Sequence, residues 1–338
     1  MNLNEVKYSK YALVREMLDT VEVVKKFDAK QTEKIAHKIS SLGKLLLTGE
    51  GSSRIFPAKN AIRKALTMGL DICLTTDGSR QSALYDLSKF AVFCASNSGK
   101  TKEIILLAKM LAAIGNDNRF ALSANKATPL EKECKETFVL NCGWEQAVAA
   151  TKSVVEQALF YESILWNISR KADPIKSSGL AEKMEQALTM SIDPKIIELA
   201  INAPTIYFAG YNDGVAEELT LKTNEITRKK SDFLEGTYAV HGIEEVMQKE
   251  DVVFVIDPIE AEFEKFKNVL VEGVGLAVVA ISVKDTPFPT ILIPDAGEMN
   301  SHVFLAAGWN LLVEIGLALG IDLDKPERAR KIGNEFFE

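Results

Sequence analysis

Two blocks of the sequence repeat one alternation: a short uninterrupted apolar run, a turn of glycine or small polar residues, then a segment with helical period. The first block reads KLLLTGEGSS, a helix from about Arg54 to Met68, DICLT, FAVFCASNSG, a helix from about Lys100 to Ile114, RFALSAN and ETFVLNC. The second reads TIYFAGYNDG, a helix from about Gly214 to Lys229, VVFVID, a helix from about Glu260 to Val271, LAVVAIS, TILIP and a helix from about His302 to Leu319. Strands apolar on both faces belong in a parallel sheet covered by helices on both sides. The chain is therefore α/β, with two three-layer α-β-α domains of parallel sheet, related by internal duplication. The polar residues between Lys229 and VVFVID read as a turn.

Outside the two blocks the pattern is helical. Val6, Tyr11, Val14, Met17, Val21 and Val24 recur at helical spacing, and a second short helix is expected over about 30–42. The segment from about Glu145 to Arg170 is apolar on several sides, so it must pack on protein rather than face water. Residues 171–190, with Pro174 and Ser177-Ser178-Gly179, read as a linker leading into a helix. The expected organisation is N-terminal helices over 1–43, a first domain over 44–172, a linker and helix over 173–192, a second domain over 193–321 and a C-terminal tail over 322–338.

Composition narrows the partners. Forty-seven acidic residues against 40 basic ones give a net charge of −7, which argues against nucleic acid or an anionic membrane as partner. A local pocket for a small anion stays open. No apolar run approaches the ~18 residues of a membrane span, and MNLNEVKYSKYALVREML lacks the apolar stretch of a signal peptide. A cytoplasmic protein is expected. Four scattered cysteines without a CxxC pair, and three histidines, support neither a disulfide framework nor a zinc site. No metal or cofactor is expected, and Cys73 and Cys94, inside apolar runs, read as small core residues.

The strongest local signal is Ser96-Asn97-Ser98-Gly99-Lys100-Thr101, where an apolar strand runs out into hydroxyls directly before a helix. Free backbone N–H groups and hydroxyls at a helix N-terminus suit a phosphate, although ordinary capping would select the same residues. Gly49-Glu50-Gly51-Ser52-Ser53 has the same strand–turn–helix setting. Neither is a nucleotide fingerprint: Cys94 stands where GxxxxGK[ST] needs a glycine, and Arg54 where GxGxxG needs its last one. In the second block, Lys222 and Glu225 are three apart on a helix, which could mean only a surface ion pair. His241 lies in a glycine-flanked turn and Lys331 in a charged tail, both open to a bland reading. As a set they are chemically usable: a carboxylate moves protons, an imidazole opens a sugar ring, and an amine forms an imine.

In order and spacing these segments resemble the double sugar-isomerase (SIS) domain family, which includes the isomerase half of glucosamine-6-phosphate synthase. The likeness runs from about residue 44 to 338. The family's Cys-Gly-Thr-Ser turn matches Glu50-Gly51-Ser52-Ser53, and its Ser-Gln-Ser-Gly-Glu-Thr loop matches Ser96 to Thr101. Glu-Ile-Gly-Val-Ala-Ser-Thr-Lys matches Glu145 to Lys152, with Val148 at the valine; Lys-Leu-Lys-Glu-Ile-Ser matches Lys222 to Thr227. The family histidine follows its glutamate by sixteen residues, the separation of Glu225 and His241, and the family tail resembles Asp322 to Lys331.

The resemblance implies roles. Gly51, Ser52, Ser53, Ser96, Asn97, Ser98 and Thr101 would hold a sugar phosphate, and Val148 would line the sugar. Glu225 would carry the proton between C1 and C2, His241 from a neighbouring subunit would assist ring opening, Lys331 would be the amine of the tail, and Lys222 a supporting charge. It implies a homodimer with its active site at the subunit interface, acting as an isomerase, deaminase or deglycase on a hexose or amino-sugar 6-phosphate. A phosphosugar sensor without turnover is the alternative. No glutamine-hydrolysing domain precedes the sugar part, so glutaminase activity is not expected. Lys100 replaces the family's acidic residue, and Thr237, Tyr238 and Ile243 replace Gly-Glu and Pro around the histidine.

Overall fold

The computed structural model describes residues 1–330 and 334–336. Each block builds its own five-stranded sheet, parallel throughout. The first contains β1 (Lys44–Thr48), β2 (Cys73–Thr75), β3 (Ala91–Ala95), β4 (Arg119–Ser123) and β5 (Glu136–Val139), ordered β2-β1-β3-β4-β5. The second contains β6 (Thr205–Gly210), β7 (Lys230–Glu235), β8 (Val252–Ile256), β9 (Ala277–Ser282) and β10 (Thr290–Leu292), ordered β10-β9-β8-β6-β7. Read from its other edge, the second order repeats the first strand for strand. Both are flavodoxin-like, and the order reverses between β1 and β3 and again between β6 and β8, the places where open α/β sheets bind ligands.

Burial follows the apolar runs. Every residue of β3 and of β8 is buried. β7 is where the sequence reading fails, for it is a strand and not a turn. As an edge strand it pairs only with β6, so Lys230, Asp232 and Glu235 face water and interrupt the apolar signal. Edge position also corrects Cys73: in the three-residue edge strand β2 it is exposed, whereas Cys94 is fully buried. A hydrogen bond to Cys134, together with burial, holds the Cys94 thiol well above its ordinary range and so uncharged.

The helices used below are α1 (Ala12–Lys26), α2 (Glu33–Leu42), α3 (Ile55–Thr67), α4 (Lys102–Ala113), α5 (Lys152–Ser169), α6 (Val215–Thr227) and α7 (Asn300–Ala318); two more, Leu180–Thr189 and Pro194–Asn202, lead from the linker to β6. On one face of the first sheet, Phe93, Phe120, Phe138, Phe160 and Tyr161 form a cluster with ring centroids 5.1–6.4 Å apart. Each such pair contributes ~0.5–1.5 kcal/mol beyond area burial. α5 starts at Lys152 and not near Glu145, because residues 140–151 form an irregular segment whose polar groups bond locally. The segment after β8 is not one regular helix either. It passes from a 3₁₀ turn (Glu260–Glu262) through a single α turn (Phe263–Phe266) into a π-helix (Lys267–Val274).

Residues 1–21, 147–149 and 174–327 form one compact unit, containing the second sheet; residues 22–146, 150–173 and the described residues from 328 onward form the other, containing the first. Within the former, the stretch Gly297–Ala318 is long and apolar enough to span a bilayer by length and composition, against the sequence expectation of no such run. Ser301, His302 and Asn310 broke the run to the eye, yet all three are buried and 83% of the apolar window lies inside the protein, as in a core helix.

Candidate functional site

The hydroxyl-rich segment 96–101 leaves the C-terminal end of β3, where a strand buried on both faces delivers it rigidly. Its backbone is tied down on three sides: Ser96 N donates to Leu122 O (3.0 Å), Ala124 N to Asn97 O (3.1 Å) and Leu130 N to Gly99 O (3.1 Å). Gly99 adopts φ +64°, and a Cβ there would land on the Thr128 side chain, so only glycine fits. The side chains turn inward. Ser96 Oγ and Thr101 Oγ1 are 2.8 Å apart, Gly99 N donates to Ser96 Oγ (3.1 Å) and Lys100 N to Ser98 Oγ (3.2 Å). Hydroxyls and amides that satisfy one another in a loop at a helix N-terminus can exchange those bonds for the oxygens of an anion.

Asn97 is held separately. Its Nδ2 donates to Glu145 Oε2 (2.7 Å), while its buried Oδ1 accepts no hydrogen bond from the described residues. Glu145, fully buried, also accepts from Thr151 N (2.7 Å), Thr151 Oγ1 (3.2 Å) and Ser153 Oγ. One carboxylate therefore aims Asn97 and shapes the chain entering α5. The sequence reading quoted Glu145 only as part of a motif; the Thr and Ser six and eight residues on were the available signal.

The first turn lies beside this loop, because Thr48 on β1 and Cys94 on β3 are register partners and both turns leave the same end of the sheet. Gly51, Ser52 and Ser53 form a 3₁₀ turn with Ser52 buried, and Ser53 O accepts from Gln157 Nε2 on α5 (2.5 Å). Glu50 is spent on structure, accepting from Ser79 N (3.0 Å) and Ser79 Oγ (2.6 Å). The described end of the tail also reaches the loop. Thr101 and Glu335 form an antiparallel bridge, Lys102 N donates to Asn334 O (3.0 Å) and Phe336 N to Lys100 O (2.9 Å). Lys331 lies outside the described residues.

In the other unit, α6 carries a buried charge cluster. Lys222 Nζ lies 2.8 Å from Glu225 Oε2 and 3.3 Å from Glu218 Oε1. The side chains of Lys222 and Glu218 are 0% exposed and that of Glu225 25%, so this is no surface pair. Burial by itself pushes the Lys222 ammonium down, but Glu225 and Glu218 outweigh it and hold the group above its ordinary value. Glu218 was missed, although its i,i+4 spacing to Lys222 was visible. Glu225 alone of the three is partly open. Val148 is half-buried and falls with residues 147–149 in this unit. His241 is exposed, follows the 3₁₀ turn Tyr238–Val240, and its Nε2 lies 2.9 Å from Lys265 Nζ. An ammonium only donates, so that ring nitrogen accepts. His241 shares no hydrogen bond with Glu225, and the structure does not join the two within one chain.

No protein-family model matches the chain, and no curated protein matches it by sequence. Solved structures do match. The C-terminal domain of glucosamine-fructose-6-phosphate aminotransferase from Francisella tularensis aligns with TM-score 0.76 and 16% identity over 94% of this chain and 98% of that one. Glucosamine-6-phosphate deaminase from Thermotoga maritima aligns with TM-score 0.72 and 19% identity, over 95% and 99%. Tagatose-6-phosphate ketose/aldose isomerase from Escherichia coli aligns with TM-score 0.77 and 14% identity, over 95% and 97%. At these identities the likeness is one of fold, and it extends over nearly the full length of the chain and of each neighbour.

Proposed function

We propose that this chain is a phosphosugar isomerase or deaminase that works by aldose–ketose chemistry on a hexose or amino-sugar 6-phosphate. Two features support the reading: a self-bonded serine loop suited to a phosphate, and the α6 cluster. The cluster carries it. A buried lysine, kept charged by two carboxylates, leaves one of them, Glu225, partly open. Such a carboxylate can take the proton from C2 of an open-chain aldose 6-phosphate, giving an enediol, and return it at C1 as the ketose. With nitrogen in place of oxygen the same step passes through an enolamine, and water then releases the amine. Lys222 holds Glu225 in place, Ser96, Ser98 and Thr101 anchor the phosphate, and His241 of a second subunit assists ring opening in a cytoplasmic homodimer.

Glu225→Gln keeps the shape and removes the base. The expected result is a fall in turnover of ~10²–10⁴-fold, with fructose 6-phosphate binding, followed by calorimetry, unchanged. The assay offers hexose 6-phosphates, glucosamine 6-phosphate and fructosamine 6-phosphates, and reads isomer, ammonia and amine. A fully active variant would refute the assignment.

A further inference from the structure

His241 stands on a turn that the fold holds in place, and so does the residue beside it. Ala239 and Val240, in the 3₁₀ turn before His241, are buried in one core cluster with Phe266, from the segment that follows β8. His241 N donates to Tyr238 O (3.1 Å). Gly242, at φ +107°, donates its N–H to Glu244 Oε2 (2.6 Å), which fixes the chain on the other side. Lys265 immediately precedes Phe266 in the single α turn Phe263–Phe266, just ahead of the π-helix. Buried anchors thus bring an imidazole and an ammonium to the surface side by side, with Nε2 2.9 Å from Nζ.

The partner of one ring nitrogen decides which of the two carries the proton. The elements packed against this turn also carry Lys230, Asp232 and Glu235 on β7, Glu244 and Glu245 on the following turn, and Glu264 beside Lys265. A carboxylate would accept a ring N–H and leave a lone pair facing outward. None of them does. Among the described residues the side-chain hydrogen bond of His241 is to Lys265, and Lys265 forms no ion pair with a carboxylate. A protonated imidazole has no acceptor to offer an ammonium, so the ring in this pair is neutral, with Nε2 accepting and the proton on Nδ1. Nδ1 makes no hydrogen bond to the described residues, and the ring is exposed.

We infer that Lys265 is a positioning residue: it fixes His241 as the Nδ1–H tautomer, so that the atom offered outward is a hydrogen-bond donor and not a base. The inference rests on the proposed reaction, in which His241 meets a sugar bound by a second subunit. Opening that sugar breaks the bond between C1 and the ring oxygen, and the oxygen gathers negative charge as it leaves. A placed donor stabilises that charge, and a neutral imidazole can be that donor. The proton that the ring oxygen gains and the one that the C1 hydroxyl loses are both exchanged with water.

Histidine labelled with nitrogen-15 in the ring reports the tautomer directly, by long-range proton–nitrogen NMR of the full chain at about pH 8.5, above the ordinary histidine range. His241→Gln assigns its signal among the three histidines. The wild type should show Nδ1–H. Lys265→Arg, still a donor, should keep that tautomer, whereas Lys265→Glu, only an acceptor, should convert it to Nε2–H. With the hexose 6-phosphate that the chain turns over, kcat should fall about tenfold or more in Lys265→Glu and be restored to within about twofold of wild type in Lys265→Arg, as expected for one placed donor. Nε2–H in the wild type, an unchanged tautomer in Lys265→Glu, or an unchanged kcat in that variant would overturn the inference. Full activity of Glu225→Gln would instead bring down the proposed reaction, while the NMR comparison still decides whether Lys265 sets the ring.

Discussion

Lys222 has no exposed side-chain surface and is charged, so its worth lies in its two carboxylate neighbours. Removing it as Lys222→Met strands Glu218 in the interior. The expected loss is ~3–5 kcal/mol, the cost of breaking a buried pair, measured by urea unfolding at neutral pH. The pH dependence has a definite sign. Because the folded protein holds this proton more tightly than the unfolded chain, whose lysine titrates near 10.5, the stabilisation is complete below that pH and is lost as pH rises through the higher folded value. Between neutrality and about pH 11 the wild-type urea midpoint should therefore bend downward only at the alkaline end, and that component should be missing from Lys222→Met. Gly99 makes the opposite kind of demand, for space. Gly99→Ala meets both φ +64° and the Thr128 side chain. It should cost ~1–3 kcal/mol in urea and abolish fructose 6-phosphate binding in calorimetry. Both residues could be named from the sequence, Lys222 by helical spacing and Gly99 by its turn. That one is buried and the other hemmed in by Thr128 depends on neighbours distant in the chain.

At the level of elements, α6 is positioned by its contact with α7. Gly308 on α7 has room for no side chain, since a Cβ there would collide with Leu219, three residues before Lys222 on α6. Gly308→Ala should therefore push α6 and its charge cluster outward. The expected cost is ~1–3 kcal/mol from overpacking, with turnover falling more than phosphosugar affinity. Adding Leu219→Ala reopens the space, and a double-mutant cycle should show the two changes compensating. The apolar runs and amphipathic stretches that became β3, β8, α4 and α6 were plain, because an element covered on both faces carries an unbroken pattern. β7 was hidden, because an edge strand shows half its residues to water and reads as polar. The helix after β8 was legible as helical but not in winding, since an eight-residue stretch is too short for its i→i+5 repeat to stand apart from the i→i+4 repeat of an α-helix.

For the whole molecule, a ligand that binds only the folded protein must stabilise it, by ~2.7 kcal/mol at a hundred times its dissociation constant. Saturating fructose 6-phosphate should accordingly raise Tm for the wild type and for Glu225→Gln, and leave Gly99→Ala unmoved. A thermal melt that shifts equally in all three would detach the serine loop from sugar binding. The sequence by itself determined the α/β class, the duplication, the place of each candidate turn at a strand end and the residue types available for chemistry, because these follow from local periodicity and from what glycine, serine and charged side chains can do. Only the tertiary structure decided that Glu218 joins Lys222 and Glu225 in a buried cluster and that Glu145 aims Asn97. Burial and long-range hydrogen bonds are set by segments brought together from far along the chain, and no local pattern encodes them.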